Sequence, residues 1–111
     1  MTLMIDTETR DGSTIVHVDG DLDVYTAPRL KETLDEVMAG TGALVLDLSA
    51  VQFMDSTALG VLVGAQQESE QDGSGLRLVV ADPLLLKIFH ITGLDGVFSI
   101  YPQLEEALSA D

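Results

Sequence analysis

A chain of 111 residues holds one ordinary domain and is too short for two full cores, and its 46% hydrophobic share fits a packed globule better than a disordered segment. With no cysteine, disulfides, thiolate metal sites and cysteine nucleophiles are excluded. Nineteen acidic residues against five basic ones give a net charge of -14, which disfavours nucleic acid phosphates and anionic lipid surfaces as partners, since both reward Lys and Arg. The same charge either keeps a small protein in solution or steers it toward a basic patch on a protein partner, and the two readings are compatible. Met1 to Asp11 lacks the basic-then-apolar pattern of a signal peptide, and no apolar run approaches the roughly 20 residues that cross a bilayer. The expected location is therefore the cytoplasm. One domain over residues 1–111 is expected, with no internal repeat, low-complexity tract or linker.

In chain order the first pattern is a hairpin. Leu3 to Thr9 and Ser13 to Val18 alternate apolar and polar residues around the turn signal Asp11-Gly12. Thr26 is read as the N-cap of a helix with Pro28 in its first turn. Leu30, Leu34, Val37 and Met38 follow at helical spacing, and Gly40 is the stop. Ala43 to Leu48 is almost continuously apolar, as an interior parallel strand should be. A loop over Ser49 to Asp55 is expected next, then a helix carrying Leu59, Leu62, Val63 and Gln66 that ends in the polar stretch Glu68 to Gly75. Leu76 to Ala81 reads as a strand, Pro83 to Ile91 as a helix stopped by Gly93, Val97 to Tyr101 as a short strand and Gln103 to Ala110 as a closing helix. The pattern predicts an α/β fold: a mixed, mostly parallel sheet with an N-terminal hairpin and about four helices. In such sheets function gathers at the carboxyl ends of the parallel strands, which directs attention to Asp47 to Thr57.

Within Phe53 to Gly64, the triplet Asp55-Ser56-Thr57 precedes an apolar helix. Asp, Ser and Thr are favoured N-caps, so capping alone explains such a triplet in many proteins. No capping box accompanies it, because Leu59 stands three residues beyond Ser56. Gly60 and Gly64, four apart, suggest close packing of this helix on the sheet.

Asp55-Ser56-Thr57-Ala58-Leu59-Gly60 resembles the Asp-Ser-(Ser/Thr)-Gly-Leu-Gly signature of the STAS domain, the fold of bacterial anti-sigma factor antagonists. Gly20-Asp21-Leu22-Asp23 with Thr26-Ala27, the strand Leu44 to Ser49, and Thr92-Gly93-Leu94 resemble further segments of that family in the same order. The resemblance implies partner switching. An unphosphorylated antagonist binds an anti-sigma factor that is also a serine kinase, and so frees a sigma factor. Phosphorylation releases the antagonist, and a serine phosphatase resets it. The implied phosphoacceptor is Ser56, and the implied partner-binding residues are Asp23, Asp55, Thr57 and Leu59. Ala58 departs from the family pattern where Gly is usual, and Thr57 offers a second hydroxyl. STAS domains also serve as scaffolds in stress-signalling and transport complexes without a phosphoswitch, and this is the alternative reading. The resemblance implies no cofactor, no metal and no catalysis, and nothing in the sequence demands more than a monomer.

Rival chemistries fit less well. Met54 to Ala58 is not the Gly-x-Ser-x-Gly elbow of a serine hydrolase, and His17 and His90 read as partly buried side chains in a strand and an apolar helix. Gly73-Ser74-Gly75 lacks the Lys of a phosphate loop. Asp19, Asp21 and Asp23 alternate as calcium ligands do, but Val24 and Leu30 stand where such a loop needs Gly and Glu. Asp47 as the phosphoacceptor of a receiver domain lacks a nearby acidic pair and a suitably placed Lys, so it is read as organising a loop.

Overall fold

The computed structural model describes residues 3–38, 42–73 and 75–110. Five strands lie in sequence order across one sheet: β1 (Leu3–Arg10), β2 (Ser13–Leu22), β3 (Leu44–Met54), β4 (Leu76–Val79) and β5 (Ser99–Tyr101). β1 pairs antiparallel with β2 through the Asp11-Gly12 turn, where both residues adopt positive φ, and the remaining pairs are parallel. The helices are α1 (Ala27–Met38), α2 (Ser56–Asp72), α3 (Pro83–Ile91) and α4 (Leu104–Ser109), with a short 3₁₀ turn at Leu94–Gly96.

Strand alternation sends side chains to two cores of unequal size. Val16, Val18, Leu44, Leu46, Leu48, Leu76 and Leu78 point to one face, where they meet Leu30 and Leu34 of α1, Leu62 of α2 and Phe89 of α3. Ile15, Val45 and Val79 point to the other, where Ala107 of α4 covers them. Phe89 meets Phe98 edge to face, with ring centroids 5.7 Å apart. The expected mixed, mostly parallel sheet with a hairpin and four helices is therefore present.

Several expectations about boundaries are corrected. Ser49 to Asp55 is not a loop: β3 continues to Met54, and only Asp55 separates it from α2. Two register shifts against β2, between His17 and Asp19 and between Gly20 and Asp21, break the alternation of this stretch and disguise it as a loop. Asp47 lies inside β3, and its Oδ1 accepts hydrogen bonds from Ser49 N at 3.0 Å and Ser49 Oγ at 2.7 Å at the first shift. It organises a bulge, not a loop. α2 ends within the expected stretch Glu68 to Gly75: the helix runs to Asp72, with Ser69 buried, and Gly73, at φ 76°, donates its N–H to Ser69 O. Glu68, Glu70 and Gln71 are good helix formers whose exposed positions need no apolar character.

Thr26 is not the N-cap it was expected to be. Asp23 Oδ1 accepts from Tyr25 N and Thr26 N, while Thr26 Oγ1 accepts from Asp23 N at 2.9 Å, so Asp23 caps the turn that leads into α1. Gly60 and Gly64 do not pack on the sheet. Both are exposed, and a Cβ on either would meet no atom within 4 Å. His90 is exposed and not partly buried. The expected α1 stop at Gly40 lies outside the described residues.

Candidate functional site

The carboxyl ends of β2 and β3 bring the motif residues together. Leu22 pairs with Met54, and Asp55 N donates to Leu22 O at 3.0 Å, which ties the start of α2 to the turn that begins at Asp23. Asp55 is the N-cap: its backbone is extended, and its Oδ1 accepts from Thr57 N at 3.0 Å and Ala58 N at 3.1 Å. Ser56 is the first helical residue. It is exposed, and its hydroxyl makes no hydrogen bond among the described residues. Asp55 is therefore the cap, and Ser56 is spared from capping.

The other residues singled out by sequence divide into surface and support. Thr57 is exposed beside Ser56 and Asp55 is half-buried. Leu59 is buried in the larger core, where it anchors the first turn of α2. Asp23 is also buried, with its carboxylate spent on backbone amides. Sequence reasoning missed three exposed apolar residues at this end of the sheet: Val24, Tyr25 and Phe53, the last in register with Asp21. Tyr25 is 84% exposed. The available signal was an apolar pair, Val24-Tyr25, inside a turn where polar residues are usual.

A phosphate on Ser56 would find fewer free amides than a bare helix N-terminus offers. The N–H groups of Thr57 and Ala58 are held by the Asp55 carboxylate, and that of Leu59 by Asp55 O. A phosphate there would share the positive end of the helix dipole with Asp55 and be repelled by it. It would project toward solvent or a docked partner.

A second charged cluster spans the hairpin and β3. His17 Nδ1 lies 2.8 Å from Asp47 Oδ2 and His17 Nε2 lies 2.8 Å from Glu8 Oε1. With a carboxylate at each ring nitrogen, both hydrogen bonds are satisfied together when each nitrogen carries a proton, so the arrangement favours the imidazolium. The Glu8 hydrogen bond, assisted by Asp47 and opposed by partial burial, raises the His17 pKa. Burial pushes Asp47 up, but the two Ser49 hydrogen bonds and His17 outweigh it, and its carboxyl sits below the usual value. Neither nitrogen of His17 is open to a serine nucleophile.

A model of the STAS domain matches residues 4–107. The chain belongs to the STAS domain family. An anti-sigma-B factor antagonist of Listeria monocytogenes is 39% identical over 102 residues, covering 90% of each chain. Its counterpart of the same name in Bacillus subtilis is 33% identical over 105 residues, covering 95% of this chain and 96% of the relative. The crystal structure of an anti-sigma factor antagonist from Mycobacterium paratuberculosis superposes with a TM-score of 0.89 at 36% identity, covering 97% of this chain and 92% of the other. The STAS match accounts for the whole sheet and for α1 to α3 around the Ser56 site, and no helix among the described residues is long and apolar enough to cross a membrane.

Proposed function

We propose that this STAS domain is a cytoplasmic anti-sigma factor antagonist whose partner binding is switched off by phosphorylation of Ser56. The observation that carries the proposal is the free, exposed Ser56 hydroxyl at the first position of α2, beside the exposed apolar Val24, Tyr25 and Phe53. The partner is an anti-sigma factor with serine kinase activity, and a serine phosphatase restores the free hydroxyl. Thr57 touches the partner directly, Asp55 holds the helix N-terminus in position, and Asp23 and Leu59 fix the turn and the helix that frame the surface. The domain is the kinase's substrate and binding partner, not itself a catalyst.

The switch follows from desolvation. Unphosphorylated, Ser56 presents a neutral hydroxyl, which an interface accepts readily. A phosphoserine adds roughly -1.5 to -2 charges next to Asp55 in a chain already at -14. Burying that charge without an opposing cation is costly, and a loss of about 2.8 kcal/mol is already a hundredfold in affinity. The fold is expected to survive, because Ser56 makes no contact on which the helix depends.

Paired baits test the reading. Wild-type protein and Ser56→Asp are each used to capture proteins from lysate of the source organism. Retention of an anti-sigma kinase by wild type, with loss on Ser56→Asp, is the expected result. Equal retention by both baits would assign the domain to a scaffold role in which Ser56 merely begins a helix.

A further inference from the structure

A groove of about 340 Å³ runs between α1 and α2, with Leu34, Gly60, Val61 and Gly64 along it and Thr57, the neighbour of Ser56, at one end. Toward the carboxyl ends of both helices it continues past Asp35 and Glu68 to Met38 and Asp72. Glycine inside a helix is destabilising relative to Ala, and it is normally excused by a positive φ or by a close neighbour. Gly60 and Gly64 have neither: each is helical, and a Cβ would meet nothing within 4 Å. Among the described residues nothing requires a bare backbone at these positions, whereas a body lying in the groove would.

The charges around the groove say which body. Among the described residues, Lys31 is the only cation in its walls, and its Nζ is held 2.9 Å from Asp35 Oδ2. Glu68 and Asp72 add negative charge, and neither α1 nor α2 has a basic residue in its last turn to offset the negative end of its dipole. An apolar cleft with acidic walls, opening onto two helix carboxyl ends, matches a segment that is apolar on one side and carries Lys or Arg on the other. A second copy of this chain, at -14, does not supply that charge.

We propose that the α1–α2 groove seats a basic, amphipathic segment of the same protein partner that docks over Ser56, extending that contact along α2. This inference rests on the partner-switching reading above. It assigns Gly60 and Gly64 to close approach by the partner, and Glu68 to the partner's cations.

The test combines a defined probe with the baits. The isotope-labelled full chain is titrated with a short helical peptide of leucine and lysine, and with a leucine and glutamate control, while amide NMR signals are followed. The expected result is saturable shifts at Gly60 and Gly64 with the lysine peptide alone. Gly64→Leu, which fills the groove, should weaken that binding at least tenfold without lowering the thermal midpoint, and should abolish capture of the partner that wild type retains. Glu68→Lys, an exposed charge reversal, gives the same readout should Gly64→Leu fold poorly. Shifts scattered over the acidic surface, or equal peptide binding by these variants, would overturn the groove. A partner kept by Gly64→Leu and lost by Ser56→Asp would overturn the groove and leave the switch standing. Equal capture by wild type and Ser56→Asp would instead remove the switch, and with it the partner assigned to the groove.

Discussion

At the scale of single residues, two carboxylates hold the site in shape and one hydroxyl is left free. Asp23 and Asp55 each accept two backbone amides, at 2.9 and 3.1 Å and at 3.0 and 3.1 Å. Removing an N-cap of this kind typically costs about 1 kcal/mol. Asp55→Ala should therefore lower the urea stability of the protein by roughly that amount, while Asp55→Ser should recover most of it. A Ser56→Ala change should leave stability within about 0.5 kcal/mol of wild type, since an exposed hydroxyl without partners has little to lose. Urea titrations of the three variants check both statements, and a large loss in Ser56→Ala would mean that Ser56 is structural. The helix start at Asp55 and Ser56 was legible in the sequence because a run of adjacent residues carries it. Val24, Tyr25 and Phe53 were not, because their exposure depends on how β2 and β3 end beside each other. Asp23 was singled out as a binding residue, yet its carboxylate serves backbone amides, a role that only the geometry of the turn reveals.

At the scale of elements, β3 was the least legible. Two register shifts let β3 run 11 residues while hiding its periodicity. The Glu8–His17–Asp47 cluster joins β1, β2 and β3 across the hairpin, and it makes stability depend on pH. The folded His17 pKa is raised above its ordinary value, so the stabilisation is complete below the unfolded value of about 6.5 and fades as pH rises through the folded value. Between pH 6 and pH 9 the urea midpoint of the wild type should fall, and His17→Gln should flatten that dependence. An equal slope in the variant would assign the pH dependence elsewhere. α2 also carries a clear stability prediction. Gly64→Ala, exposed and mid-helix with no atom to meet the new methyl, should stabilise the protein by about 0.5–1 kcal/mol.

At the scale of the whole molecule, topology brings a helix start, a turn and a strand end together on a strongly acidic body. The net charge of -14 should accelerate encounter with a basic partner and make the association rate fall as salt rises, with dissociation less affected. Stopped-flow mixing at two ionic strengths reads this directly, and a salt-independent rate would leave the charge as a matter of solubility alone. The overall order of strands and helices was legible because each element has its own hydrophobic period and because parallel crossovers leave few arrangements. The groove between α1 and α2 was not, since it arises only when two separate helices are set side by side. The central claim is that a single phosphate at Ser56 abolishes docking while leaving the fold in place. Phosphoserine installed at position 56 of the full chain, compared with wild type for binding to the captured anti-sigma kinase and for far-ultraviolet circular dichroism, tests it most directly. Affinity should fall by about tenfold to a hundredfold or more with an unchanged spectrum. Undiminished binding, or a loss of helix on phosphorylation, would contradict the switch.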